Sequence, residues 1–188
     1  IKISEVLMSI VLKFSKIESE QRPQLITAIH NILTEVGGHN VDIYNAAYWD
    51  WQYKQLPSGK SFAYAAWDGE QIIGYYHVAT YYCLIDGQER LIGNVQDVAV
   101  NPNYRGMGLF RQLAEFANSD LDSSKIDFIY TFPNDKSIGT FLKYNGYQTV
   151  SVVPTFIRPV KSGDIIKSKI NLLGIEKFIG LCIDTVLS

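Results

Sequence analysis

Two Asp-Gly dipeptides, Asp68-Gly69 and Asp86-Gly87, each stand between runs rich in aromatic and β-branched residues. Asp-Gly accepts positive φ at both central positions of a tight turn, so each marks a β-hairpin. Together they predict a three-strand antiparallel meander over 61–67, 71–85 and 88–100. Ahead of it, Leu25, Ile26, Ile29, Ile32, Leu33 and Val36 recur at helical spacing, with Pro23 in the first turn and Gly37-Gly38 past the end. That pattern predicts a helix over 24–36, followed by an aromatic-rich stretch at 40–60 with no clear period. Beyond the meander we expect a helix over 108–119, a strand over 126–132, a helix over 136–145 and short strands at 147–153 and 155–159. Meander, helix, strand, helix, hairpin is an α/β arrangement on a mixed sheet. The link from strand 88–100 through a helix to strand 126–132 is expected to be a right-handed parallel crossover.

The chain has 188 residues, 47% of them hydrophobic and 19% charged, which suits one domain with a sizeable core. With 17 Lys and Arg against 19 Asp and Glu, it shows no basic excess, so nucleic acid is not expected as a partner. Cys83 and Cys182 have no paired spacing, which points to a reducing, cytoplasmic setting. The opening run is interrupted by Lys2, Glu5 and Lys13, unlike a signal peptide. No run reaches the ~18 apolar residues of a membrane span. From Ile165 to Leu187 apolar residues alternate with Lys167, Lys169, Glu176, Lys177 and Asp184, as in one or two amphipathic helices. We therefore expect a main domain at 1–160 and a helical segment at 161–188 that meets this domain, a further domain, a second copy of the chain or a membrane surface. The start at Ile1 and the abrupt end lead us to expect a fragment.

The chemistry is concentrated in NVQDVAVNPNYRGMGLFRQLAEFA, residues 94–117. A strand reaches Asn101-Pro102, a glycine loop follows at Arg105-Gly106-Met107-Gly108, and a helix opens at once. Unpaired amides at a helix N-terminus can hold a phosphate, glycines let it approach, and Arg105 adds positive charge. A plain strand-to-helix turn would look the same. A dinucleotide fingerprint fails because Arg111 stands where its third glycine belongs, and no GxxxxGK loop is present.

These residues resemble the acetyl-CoA-binding motif of the GNAT N-acetyltransferase superfamily, Arg/Gln-x-x-Gly-x-Gly/Ala after a strand. Arg105 and Gly108 match it, while Phe110 replaces the last small residue, as in a subgroup with RGKGIF or RGKGLF loops. TFPNDKSIGTFLKYNGYQTV at 131–150 and YWDWQY with LPSG at 48–59 also resemble the family. The resemblance covers about 20–160. It implies an antiparallel meander followed by a β-α-β crossover with splayed parallel strands, and acetyl-CoA as acyl donor. The backbone of Val98 and Val100 would hold the pantetheine, the amides of Arg105, Gly106, Met107, Gly108, Leu109 and Phe110 the pyrophosphate, and Asn134 would face the arm or cap the next helix.

The implied reaction is direct acyl transfer to the amine of a small molecule, an amino sugar or an amino-acid-like metabolite. It needs a base, support for the developing oxyanion and an acid for the thiolate. Asp97 is the first candidate base and His77 the second. The family's usual acid, a tyrosine, falls at Leu142, or at Phe141 when counted from Asn134, and neither donates a proton. Tyr75, Tyr76 or water are the substitutes, and Tyr144 reads better as a packing ring. Trp49, Trp51 and Tyr75 are candidate substrate contacts, with Tyr44, Tyr48 and Tyr53 in the same aromatic set. These rings could stack on a sugar, cage an ammonium or simply plug the sheet end. The histidines share no metal-ligand spacing, so no metal is expected. The competing reading is a catalytically silent module that binds or senses acyl-CoA.

Overall fold

A computed structural model describes residues 12–36 and 44–153. The chain divides into two compact units, 1–148 and 149–188, and only 149–153 of the second are described. The expected strand at 155–159, the helical segment at 161–188, His39 and Cys182 lie outside the described residues.

In the first unit the elements run β1 (Leu12–Lys16), α1 (Arg22–Glu35), α2 (Ala46–Trp49), β2 (Ser61–Asp68), β3 (Gln71–Ile85), β4 (Gln88–Val100), α3 (Leu109–Asp122), β5 (Phe128–Thr131) and α4 (Ile138–Tyr144). A π-helical turn, Asp50–Lys54, continues α2. The strands form one sheet in the order β1-β2-β3-β4-β5, antiparallel except for the parallel β4–β5 pair. This is the mixed α/β fold read from the sequence.

Strand alternation divides the core. On one face Tyr64, Ala66, Tyr76, Val78 and Val95 meet Leu109, Leu113, Ala114, Ala117 and Leu121 of α3 and Phe141 of α4. The α3 residues recur three or four positions apart, with Leu113 and Ala114 adjacent, so they form one stripe. On the other face Ala63, Ala65, Trp67 and Tyr75 meet Leu25, Ala28, Ile29 and Ile32 of α1. Every fully buried aliphatic side chain contributes about 1.5–3 kcal/mol, so these two stripes fix how α1 and α3 sit on the sheet.

Three expectations are corrected. Residues 147–153 form no strand: Val150 is 98% exposed and pairs with nothing among the described residues, and β-propensity without a neighbouring ladder does not make a strand. β1 was not anticipated; with two lysines in five residues it is defined by its pairing with β2, from Leu12 opposite Asp68 to Lys16 opposite Tyr64. The two hairpins also differ. Asp86 (φ 51°) and Gly87 (φ 76°) both take positive φ as Asp-Gly predicts, whereas in the other turn only Gly69 (φ 58°) does. Asp68 there is the last paired residue of β2, opposite Gln71, after a bulge at Ala66/Trp67.

Candidate active site

The β4–β5 ladder has four pairs, from Ile92 opposite Phe128 to Val95 opposite Thr131. Thr131 Oγ1 donates to the Val95 carbonyl at 3.0 Å and closes it. From Gln96 to Val100, β4 goes on without a β5 partner, so the outer backbone edge at Val98 and Val100 is open among the described residues. An amide-rich chain lying along it would find unpaired N–H and C=O groups.

Past Val100 the chain is tied down in steps. The Asn101 N–H donates to the Ile73 carbonyl at 2.8 Å, and Asn101 Oδ1 accepts from the Asn103 N–H at 2.9 Å. A 3-10 turn, Pro102–Tyr104, leads to Arg105, and Gly106 and Gly108 take φ of 80° and 70°. Nothing lies within 4 Å of a Cβ placed on Gly106, and only Gln112 Nε2, at 3.8 Å, near one on Gly108. Backbone conformation therefore requires both glycines, and the space over them is free for a ligand. The Gln112 N–H makes the first bond of α3, to the Gly108 carbonyl at 3.1 Å, so the N–H groups of Leu109, Phe110 and Arg111 open the helix ahead of it. Arg105, Gly106, Met107 and Gly108 are exposed, whereas the Leu109 side chain is buried and Phe110 packs edge-on against Phe141, ring centroids 5.2 Å apart. These groups suit a pyrophosphate. Asn134 Oδ1 accepts from the N–H groups of Lys136 (3.0 Å) and Ser137 (3.1 Å), so its side-chain oxygen is engaged in an Asx turn ahead of α4.

A second group of residues centres on Asp97. The β3–β4 register slips between Tyr75 and His77, which pair with Ala99 and Gln96. Asp97 lies in the bulge with φ of 49°, a left-handed value that costs a non-glycine residue energy and that Asp and Asn tolerate best. Its carboxylate accepts from the Tyr53 hydroxyl and from Gln52 Nε2 (3.3 Å), both in the π-helical turn. Burial raises the Asp97 pKa, against the lowering effect of the Tyr53 and Gln52 hydrogen bonds. Burial first and the Asp97 charge second raise the phenol pKa values of Tyr44, Tyr48 and Tyr53.

His77 is fully buried, burial pushes its pKa down to about 3, and neither ring nitrogen has a partner. It is therefore a neutral imidazole at ordinary pH. The Tyr53 ring tilts over it at 4.4 Å between centroids, and those of Trp49 and Tyr75 lie at 6.1 and 5.9 Å. Ile26, Ile29, Tyr44, Asn45, Tyr48, Trp49, Tyr53, His77 and Asp97 enclose a cavity of about 10 Å³, room for at most one water molecule. Asn45 sets this roof: its side chain accepts from the N–H groups of Ala47 and Tyr48 and starts α2.

The structure thus brings Asp97, His77 and Trp49 together and makes one continuous edge of Val98, Val100 and Arg105–Phe110. Trp51 is 63% exposed and touches the roof only through Tyr48, at 5.7 Å. Tyr75 is buried behind His77 and does not line the cavity. Sequence reasoning missed Gln52, the Tyr104–Asp68 contact and Tyr147, whose hydroxyl lies 3.2 Å from that of Tyr76. The Trp49–Tyr53 spacing of four, right for one helix face, was the available signal for the roof.

The family model for the acetyltransferase (GNAT) domain matches residues 22–150. The chain belongs to the GNAT acetyltransferase family. Its activity is therefore acyl transfer. No curated protein sequence matches this GNAT chain. Among solved structures it is similar to a predicted acetyltransferase with acetyl-CoA from Clostridium acetobutylicum, with TM-score 0.62, 15% identity, 78% of this chain and 96% of that one covered. It is also similar to a glucosamine-6-phosphate N-acetyltransferase from Arabidopsis thaliana, with TM-score 0.56, 17% identity, and 78% and 98% covered. An aminoglycoside acetyltransferase from an uncultured soil metagenomic sample gives TM-score 0.59, 19% identity, and 80% and 99% covered. At such identities the likeness shows the GNAT fold alone. No helix among the described residues is long and apolar enough to cross a membrane.

Proposed function

We propose that this protein transfers the acetyl group of acetyl-CoA directly to the amine of a small molecule, an amino sugar or an amino-acid-like metabolite. The observation that carries the reading is Asp97: a desolvated carboxylate, aimed by a bulge, under aromatic rings and one residue before the open edge of β4. Val98 and Val100 would hold the pantetheine amides, and the N–H groups of Arg105–Phe110 the pyrophosphate. Bound there, acetyl-CoA supplies an activated acyl thioester. Asp97 attracts and orients the acceptor ammonium and takes its proton, the aromatic rings exclude water, and the neutral His77 ring packs under Tyr53 beside the carboxylate. Among the described residues Cys83 is a free thiol, which supports a cytoplasmic setting.

Asp97→Asn tests the assignment, since Asn keeps the left-handed backbone but cannot accept the proton. Calorimetry should give the wild-type acetyl-CoA isotherm, while thiol release against an amine panel falls about 100-fold or more. Undiminished turnover would remove Asp97 from the chemistry. Gly108→Trp, which fills the loop, should abolish binding. Binding with no turnover of any amine would favour the silent acyl-CoA-binding module.

A further inference from the structure

The rings of Trp49 and Tyr53 have two sides. Inside lies the cavity with Asp97 and His77; outside lies an open groove of about 680 Å³ to which Arg22, Trp49, Tyr53, Lys54, Lys60 and Phe62 contribute. The two compartments differ in charge. The inner one has a single acidic side chain, Asp97, and no Lys or Arg. The outer one has Arg22, Lys54 and Lys60, with Glu18 at its rim. Asp50 bridges Arg22 at 2.8 Å and Lys54 at 3.6 Å, which leaves the groove a net positive charge.

Unpaired polar atoms gather at the partition. Arg22 Nε and Trp49 Nε1 are buried N–H donors without acceptors, and both nitrogens of the fully buried His77 are unpaired. Leaving such a group unsatisfied costs about 1–3 kcal/mol, which a ligand with matching atoms would recover. The net positive charge of the outer groove calls for a negatively charged group, and the inner carboxylate calls for a cation.

We propose that the acceptor is an amine that also carries an anionic group, a carboxylate or a phosphate, held by Arg22, Lys54 and Lys60 while its ammonium meets Asp97. This rests on Asp97 being the acceptor end of an acyltransferase site. Phe62 of β2, at the groove floor, lies opposite Val78 and through it Val95, two residues before Asp97, so two strand spacings and that offset put Asp97 about 12 Å away. A small bifunctional molecule covers that span. A polyamine does not fit, because its second cation would enter the groove of like charge. The inner cavity is too small for an amine as it stands, so acceptor entry would require the Trp49 and Tyr53 rings to move aside.

The test compares matched amines: an ω-amino carboxylate with its uncharged amide, and an amino sugar with and without a phosphate. Thiol release gives kcat/KM for each, and calorimetry of each amine against the acetyl-CoA-free protein gives binding apart from turnover. The anionic member of at least one pair is expected to lead by about tenfold in both, and the leading pair identifies carboxylate or phosphate. The preference should shrink in high salt and collapse in the Lys54→Gln/Lys60→Gln double variant, with the acetyl-CoA isotherm as the folding control. Equal binding within both pairs, or a preference that survives the double variant, overturns the proposal. A binding preference without turnover of any amine overturns the acyl-transfer role of Asp97 and upholds the anion groove.

Discussion

The Tyr104 hydroxyl donates to Asp68 Oδ2 at 2.6 Å, joining the turn ahead of the glycine loop to the end of β2. The bond exists because Asp68 is paired strand and not turn, which leaves its carboxylate facing the loop. Tyr104→Phe should therefore weaken acetyl-CoA binding several-fold while costing only about 1 kcal/mol of stability. Calorimetry and urea unfolding measure the two, and an unchanged isotherm would free the loop from this tether.

The Tyr76 and Tyr147 hydroxyls lie 3.2 Å apart in the α3/α4-side core, and burial raises the pKa of both. Removing one leaves the other unpaired. Tyr147→Phe is expected to cost about 1–3 kcal/mol, because the Tyr76 hydroxyl is then buried alone. The Tyr76→Phe/Tyr147→Phe pair should cost less than the sum of the two single changes. Urea denaturation of the four proteins gives the coupling, and strict additivity would show that the hydroxyls do not interact.

His77 gives the protein an acid-side weakness. Its folded pKa, about 3, lies below the ordinary 6.5, so between those values the unfolded chain binds a proton that the native state refuses. The stability linked to His77 is complete above pH 6.5 and is lost as the pH falls towards 3. Across that window the wild type should lose up to about 1.4 kcal/mol per pH unit more than His77→Phe. Urea midpoints measured from pH 4 to 8 test this, and parallel profiles would mean that His77 is not buried in the neutral form.

Gly93 is a point of close packing. A Cβ there would stand 2.8 Å from Val78 Cγ1 and 2.9 Å from Ile129 Cγ2, where β4 meets β3 and β5. Gly93→Ala should cost about 1–3 kcal/mol through this crowding, and a variant as stable as the wild type in urea would show that β5 yields freely.

The long strands and α1 and α3 were legible because their signals are local: turn residues, apolar period and a proline in the first turn. The glycine loop was legible because Gly106 and Gly108 meet a backbone requirement that sequence records directly. Asp97 was singled out because the family resemblance sets it just before the pantetheine-binding backbone, but its bulge was not foreseen, since the slip depends on how β3 and β4 align over many pairs. The roof at 44–54 mixes an α turn with a π turn, so its aromatics follow no single period. The residues 147–153 misled for the opposite reason: a strand-like composition has no ladder to join among the described residues.

The bulge at Asp97 also bears on how such an enzyme can diversify. Its left-handed backbone restricts that position to very few amino acids, and the neighbouring strand edge serves through backbone atoms that substitution barely alters. The roof that faces the carboxylate is one contiguous stretch, bound to it by the two side chains Tyr53 and Gln52. On the proposed roles, the strand edge that would hold the acyl donor and the aromatic roof over Asp97 lie in separate parts of the gene. Drift in the roof would then retune the acceptor while the donor edge is inherited unchanged.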